Sequence, residues 1–88
     1  MNIDFSPDSV DIIAKKLYMA EISVEEALQW MKVHGSSVCL NYGEDNDLWE
    51  CSWITSGKRY TGFSKEVRGA IVESMNNSFM ISRRNLAG

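Results

Sequence analysis

The chain has 88 residues, of which 44% are hydrophobic and 24% are charged, and its net charge at pH 7 is −3. This length corresponds to one small domain, and the composition is typical of a globular protein rather than a disordered one. No apolar run approaches the roughly 18–20 residues that a membrane helix needs, and the start of the chain lacks the basic and apolar regions of a signal peptide. We therefore expect a single cytoplasmic domain over residues 1–88, without membrane association.

The first predicted helix begins at Ser6-Pro7-Asp8. A serine caps a helix start, a proline is tolerated in the first turn, and an acidic residue is favoured there by the helix dipole. We expect this helix to run from Pro7 to Ala20. Its apolar residues recur at the three-and-four spacing of one buried stripe. The stripe consists of Val10, Ile13, Ala14, Leu17 and Tyr18.

A second helix is predicted from Val24 to His34. Ser23 and Glu26 stand three apart, as in a capping box, and Gly35 is the kind of residue that ends helices in a left-handed conformation. Trp30 lies beside the apolar stripe, where it either widens the core, the interpretation we favour, or faces a partner. The predicted buried face consists of Val24, Ala27, Leu28 and Met31.

From Ser36 the apolar period changes to two, which predicts strands in "SSVCLNY" and "LWECSWIT", joined by the acidic loop "GEDND". The favoured register pairs Val38, Leu40 and Tyr42 with Trp53, Cys51 and Trp49, because one face then becomes wholly apolar. A slip by one residue would place Leu40 opposite Glu50. In the favoured register Cys51 points to the core and Cys39 points away, so no disulfide is expected.

A tight turn at Ser56-Gly57 leads into a third strand, Lys58 to Phe63, with Tyr60 opposite Trp53. Ser64 can cap a last helix that ends at Asn76-Asn77, and residues 82–88 are expected to form a frayed tail. The inward stripe of this last helix is Val67, Ala70, Ile71 and either Ser74 or Met75. The predicted fold class is α+β, in the order ααβββα, with the C-terminal helix packed on a three-stranded antiparallel meander.

The sequence offers little for catalysis or metal binding. His34 is the only histidine, and neither cysteine has a neighbour at a spacing used for zinc. The run Glu44, Asp45, Asp47 lacks the glycine and the distant glutamate of a calcium loop. Neither a glycine-rich phosphate loop nor a nucleophile motif is present. We therefore predict a protein that is not an enzyme and carries no cofactor or metal.

Charge is distributed unevenly along the chain. Residues 1–50 hold ten acidic residues against three lysines, a net charge of −7, whereas residues 51–88 have a net charge of +4. The asymmetry favours an acidic surface that binds a host protein or nucleoprotein complex with a basic surface. The alternative is that the two halves complement each other within the fold. The candidate partner-binding residues are Glu25, Glu26, Glu44, Asp45, Asp47 and Glu50.

Nucleic-acid binding is the rival hypothesis. Lys58, Arg59, Lys65 and Arg68 lie near two aromatic residues, Tyr60 and Phe63, and basic groups interleaved with aromatics suit a phosphate backbone and exposed bases. The sequence pI near 5.0 argues against unaided binding. Because so short a chain buries only about two thirds of its unfolded surface, a homodimer is a further option.

The sheet face that points away from the core is a third candidate surface. Ile54, Phe63 and the apolar run Phe79 to Ile81 can supply an apolar centre with a charged rim. The alternative is that the tail folds over this face and buries it. The residues expected on the face are Ser37, Cys39, Asn41, Glu50, Ser52, Ile54, Arg59, Thr61 and Phe63.

The stretch "W.CSWITSGKRYTGFSKEVRGAIVESM", within Leu48 to Met75, contains a predicted hairpin, followed by T-G-x-S and then by an amphipathic helix. In this pattern, and in its size and acidity, the chain resembles the short accessory proteins of phages and prophages, among them anti-CRISPR and other anti-defence inhibitors. The resemblance implies inhibition by occlusion, in which an acidic surface docks on the lysines and arginines with which a host nuclease complex holds DNA or RNA. It assigns no role to an individual residue.

Overall fold

The computed structural model describes the backbone of residues 10–87 and the side chains of residues 10–78. The elements follow in the order α1 (Val10–Tyr18), α2 (Val24–His34), β1 (Ser36–Gly43), β2 (Leu48–Thr55), β3 (Lys58–Ser64) and α3 (Val67–Ala87). The strands form one antiparallel sheet in the order β1-β2-β3, and α3 packs on that sheet. The predicted α+β architecture is confirmed. Within the described residues, no helix combines the length and the apolar character needed to cross a bilayer.

Helix α1 buries most of the predicted stripe, namely Val10, Ile13, Ala14 and Leu17. Tyr18 was also expected in the core, and that expectation is wrong, because its side chain is 72% exposed. It lies at the margin of the stripe in the last turn, just before the chain turns at Ala20 with φ 61°. The predicted cap at Ser6-Pro7-Asp8 lies outside the described residues.

Helix α2 begins at the predicted capping box. The Glu26 N–H donates to Ser23 Oγ at 3.1 Å, and the Ser23 N–H donates to a Glu26 carboxylate oxygen at 2.9 Å. Gly35 ends the helix, but not in the predicted left-handed conformation, since its φ of −151° and ψ of −160° are extended. A Cβ at Gly35 would lie 2.5 Å from the Ile54 carbonyl oxygen and 2.8 Å from the Trp53 ring. The glycine is therefore needed for close approach to the sheet rather than for a turn.

The register of the sheet agrees with the prediction at most pairs. Leu40 lies opposite Cys51, and Trp53 lies opposite Tyr60. The expected pair of Val38 and Trp53 is replaced by a bulge between Ser36 and Cys39, in which Ser37 has φ 51°. The bulge bends the first part of β1 away from a regular ladder.

The turn between β2 and β3 is the predicted two-residue turn. Ser56 and Gly57 both have positive φ, 54° and 77°, as the tightest hairpins require. Thr55 and Lys58 form the pair that closes it. This turn fixes the register of β3 against β2.

The core lies between the sheet and the helices. Trp53 is 1% exposed, and its indole N–H donates to the Ser74 carbonyl at 3.3 Å. Trp30 is 3% exposed, with its ring centroid 6.1 Å from that of Trp53. The core interpretation of Trp30 is therefore confirmed. The largest fully buried side chains include Trp53, Leu17, Met31, Ile71 and Met75.

Helix α3 is longer than predicted. It continues to Ala87, so the expected end at Asn76-Asn77 is wrong. The physical reason is tertiary: Asn77 Nδ2 donates to the Thr61 carbonyl at 2.6 Å, and this contact holds a residue of low helix propensity within the helix. The backbone of residues 79–81 extends α3 instead of returning across the sheet. Fraying of residues 82–88 stays a prediction.

Candidate functional site

The two faces of the sheet have different neighbours. Helix α3 covers one face, which carries the buried Cys51, Trp53 and Tyr60, and α1 packs on α3. The opposite face, called the open face below, consists of three rows across the strands: Asn41, Glu50 and Phe63; Cys39, Ser52 and Thr61; Ser36, Ile54 and Arg59. Ser37 was also expected here, but it lies in the β1 bulge. The helices of the described chain pack on the other side and leave this face uncovered.

The open face has an apolar and a polar part. Phe63 is 45% exposed, and Ile54 is half-buried. At the centre Ser52 is only 7% exposed, because Arg59 lies across it and donates from Nη1 to Ser52 Oγ at 3.0 Å. The open face therefore carries the guanidinium group of Arg59, fixed by its hydrogen bond to Ser52, between two apolar side chains.

A four-residue acidic loop, residues 44–47, joins β1 to β2 at one end of the sheet. The Tyr42 hydroxyl donates to an Asp47 carboxylate oxygen, and the Tyr42 ring packs against Trp49 with centroids 5.2 Å apart. The carboxylate hydrogen bond is the main reason that the pKa of the Tyr42 phenol is raised. Asn46 Oδ1 accepts from the Leu48 N–H at 3.1 Å. These bonds order the loop, while its acidic side chains remain exposed.

The acidic loop and the open face are continuous. The loop follows the pair of Gly43 and Leu48, and Glu50 lies two residues further along β2 on the open face. At about 3.3 Å per strand residue, this places Glu50 roughly 7 Å from the last pair before the loop. Glu50 and the loop residues Glu44, Asp45 and Asp47 therefore lie at the same end of the sheet and are called the acidic rim below, with the Asp47 carboxylate held by Tyr42 of the covered face.

The other two predicted acidic residues lie elsewhere. Glu25 and Glu26 are exposed on the first turn of α2, which belongs to the covered side of the sheet. The Glu26 carboxylate is engaged in the capping box. The structure thus places four of the six acidic candidates at the loop end of the sheet and two on a separate element.

The four basic candidates are divided by strand β3. Lys58 and Arg59 lie at its start, beside the tight turn, whereas Lys65 and Arg68 follow its end. Six residue steps of about 3.3 Å separate the two ends by roughly 20 Å. Arg68 is half-buried, and its Nε makes no hydrogen bond within the described residues. The basic side chains form two separate pairs rather than one patch.

One edge of the sheet is closed by α3, a feature that sequence reasoning missed. Glu73 accepts from the Phe63 N–H at 2.9 Å, and Asn77 donates to the Thr61 carbonyl at 2.6 Å. Both backbone groups point away from β2, so they would otherwise be unpaired at the edge. The available signal was the spacing of Glu73 and Asn77, four apart on one face of the helix.

The described residues do not assemble a reactive group. No cluster of three or more histidine, cysteine or acidic side chains able to hold a metal occurs among them. The Cys51 thiol is buried, which raises its pKa, and it accepts from Ser74 Oγ at 3.5 Å. His34 stacks on Trp30 with centroids 4.3 Å apart. Cys39 and Cys51 are both free thiols and lie on opposite faces of the sheet, as predicted.

A shallow groove of about 340 Å³ lies between α1 and α3. Asp11, Lys15 and Tyr18 line it together with side chains of α3. An acid, an amine and a phenol without a held nucleophile do not form a recognisable catalytic arrangement. The groove therefore gives no ground for assigning a reaction.

No protein-family model matches the chain, and neither a curated protein nor a solved structure matches it significantly. Any function must therefore be argued from the open face, the acidic rim and the sheet edges.

Proposed function

We propose that this protein is a small protein-binding module that docks its open face and acidic rim on a basic surface of another protein. The observation that supports this most directly is the uncovered sheet face, with Phe63 45% exposed beside Glu50 and the acidic loop. Protein interfaces combine an apolar centre with a polar or charged rim, and aromatic and arginine side chains are enriched among their strongest contacts. The open face offers both kinds of side chain.

The open face alone is too small for a stable protein interface, so the acidic rim has to contribute contact area. Three strands about 4.8 Å apart and seven residues long at about 3.3 Å each give a flat area of roughly 300 Å². A stable interface buries about 800 Å² on each partner. The acidic loop at the end of the face extends the contact and adds charge that speeds association with a basic partner.

The finer proposal is that the partner is a host nucleic-acid-processing complex in the cytoplasm and that the protein inhibits it by occlusion. The resemblance to phage anti-defence inhibitors and the acidic rim support this proposal. Carboxylates such as those of Glu44 and Asp45 would cover lysines and arginines that otherwise hold nucleic acid. Binding would then compete with the nucleic acid and weaken as salt rises.

Affinity capture from host lysate with two matched charge variants tests the role of the rim. Asp45→Lys changes the charge in the acidic loop, and Glu21→Lys makes the same change at an exposed position between α1 and α2. We expect wild type and Glu21→Lys to capture the same partner and Asp45→Lys to lose most of it. Equal capture by both variants would contradict the proposed site.

The contribution of the exposed aromatic side chain of the open face is tested with two exposed aromatic residues. Phe63→Ser removes the aromatic group from the open face, and Tyr18→Ser removes one that is 72% exposed on α1. We expect binding of the captured partner to weaken at least about tenfold for Phe63→Ser, since truncating an aromatic that anchors an interface costs about 2 kcal/mol or more. Tyr18→Ser should bind as wild type does.

The nucleic-acid hypothesis is decided by fluorescence anisotropy at low salt with single- and double-stranded DNA and RNA. The proposal predicts no saturable binding. Saturable binding that weakens with salt and is lost on charge reversal at Lys58 and Arg59 would overturn it in favour of direct nucleic-acid recognition.

A further inference from the structure

The two edges of the sheet differ in how their backbone groups are paired. On the β3 edge, α3 side chains bond the outward-facing groups of Thr61 and Phe63. On the β1 edge, the direction of each backbone group follows from the alternation of bonded and non-bonded pairs in an antiparallel sheet.

The tight turn between β2 and β3 determines which residue pairs of the sheet are hydrogen-bonded and which are not. In a two-residue hairpin the closing pair, Thr55 and Lys58, exchanges backbone hydrogen bonds, so every second pair toward Ser64 does so as well. The odd-numbered residues of β2 therefore bond to β3, and the even-numbered residues bond to β1. The outward direction of the Thr61 carbonyl and the Phe63 N–H agrees with this assignment.

Leu40 and Tyr42 are the residues of β1 whose backbone groups face outward. They lie opposite Cys51 and Trp49, which are odd-numbered residues that bond to β3. Their two N–H and two carbonyl groups are therefore directed away from the sheet. Among residues 10–78, the side-chain hydrogen bond made at these two residues is that of the Tyr42 hydroxyl, and it leaves these four backbone groups unbonded.

Within the described chain, the Cys39–Gly43 part of the β1 edge lacks the features that usually prevent pairing. Edge strands are commonly protected by charged residues, proline, a bulge or a covering element. Strand β1, with the sequence SSVCLNYG, has neither charge nor proline. Its bulge lies before Cys39, so the segment from Cys39 to Gly43 is regular.

We infer that this edge binds a second copy of the same chain, with the Cys39–Gly43 segments paired antiparallel about a twofold axis at Asn41. In this register Leu40 of one copy lies opposite Tyr42 of the other, and all four outward groups of each copy are bonded. A shift of the axis to residue 40 would involve the bulge, and a shift to residue 42 would involve the acidic loop.

The side chains fit such a pair. Tyr42 is 46% exposed, and across the axis its ring would pack on Leu40 of the other copy. On the open face the two Asn41 amides would lie opposite each other, where they can exchange hydrogen bonds. Because the strand is neutral, pairing brings no like charges together within it.

The antiparallel arrangement also separates the acidic loops. Each loop begins three residues from the axis, so the two loops lie roughly 20 Å apart along the strands. This exceeds the Debye length of about 8 Å at physiological salt. The dimer would contain one six-stranded sheet with a doubled open face. Its formation needs no further partner, so it can be tested apart from the proposed function.

Sedimentation velocity over a concentration series tests the dimer with matched lysine variants. Asn41→Lys places two lysines opposite each other at the axis, and Thr61→Lys adds the same charge to the same face on the covered β3 edge. We expect wild type and Thr61→Lys to dimerise as concentration rises, and Asn41→Lys to weaken dimerisation at least about tenfold. A monomeric wild type, or equal behaviour of the two variants, would overturn the inference.

Disulfide trapping tests the register itself. In a non-bonded antiparallel pair the Cα atoms lie about 4.5 Å apart, within disulfide reach. In a background with Cys39→Ser, the variant Asn41→Cys should form an intermolecular disulfide on mild oxidation, whereas Thr61→Cys should not. Circular dichroism checks that both variants are folded. A folded Asn41→Cys variant that stays uncrosslinked, or equal crosslinking at both positions, would exclude this register.

Discussion

The covered face and the open face of the sheet are made from alternate residues of the same strands, yet their surroundings differ. On β2, Cys51 and Trp53 are 0% and 1% exposed, while their neighbours Glu50 and Ile54 remain half-buried. Alternation assigns residues to faces, but the helices decide how deeply each face is buried. Stability should therefore depend on the covered face, and recognition on the open one.

The largest expected effect on stability is that of Trp53→Ala. The indole is fully enclosed between α2, α3 and the sheet, and its N–H is bonded to the Ser74 carbonyl. Its truncation should lower the free energy of unfolding by about 3–5 kcal/mol. Urea denaturation monitored by circular dichroism measures this loss. A loss below about 1 kcal/mol would mean that the covered face is not the core, given the usual range for such truncations.

A smaller but clear effect is expected for Gly62→Ala. Helix α3 packs so closely on β3 that a Cβ at Gly62 would collide with backbone atoms of Ala70 and Ser74. Overpacking of this kind costs about 1–3 kcal/mol. The matched control is Thr61→Ala on the open face, which should change the unfolding free energy by less than about 0.5 kcal/mol. Equal losses at the two positions would contradict the close packing.

The buried Cys51 thiol of the covered face makes the free energy of unfolding depend on pH. Burial raises its pKa in the folded state, so its neutral form is favoured there. The stabilisation is complete below the ordinary thiol pKa of 9.0 and is lost as pH rises above that value, by at most about 1.4 kcal/mol per pH unit. Unfolding free energies of wild type and Cys51→Ala at rising pH should converge. A constant difference would exclude this linkage.

The smallest expected change in stability is that of Phe63→Thr. The side chain is 45% exposed on the open face, and threonine is accepted well in strands. The unfolding free energy should stay within about 0.5 kcal/mol of wild type. Thermal denaturation of Phe63→Thr and Trp53→Ala compares the two losses of stability. A loss comparable to that of Trp53→Ala would mean that the open face is a second core rather than a binding surface.

The sequence correctly predicted those features for which the local residue pattern and the burial of an apolar face indicate the same structure. Ser23 and Glu26 indicated the start of α2, and the requirement for one apolar face predicted the pairing of Leu40 with Cys51. It failed where distant contacts override local preference. The Asn77 bond to Thr61 is an example, because Asn76-Asn77 has the composition of a helix end.

The candidate site was predicted in part. The acidic loop and most of the open face follow from strand alternation, which needs only local periodicity. The division of the basic residues by β3 and the contact of Arg59 with Ser52 depend on the register and turns of the whole sheet. Neither could be read from the spacing of charges along the chain.

By itself, the sequence determined the order of the elements, the face of each strand that is apolar and the separation of the two thiols, since these depend on the fixed periods of helix and strand. Only the tertiary structure decided that α3 covers one face of the sheet with α1 packed on it, that α3 closes the β3 edge, and that the outward backbone groups of Leu40 and Tyr42 on β1 stay unpaired within the described chain. Such outcomes depend on where separate elements meet, and no local propensity encodes that position.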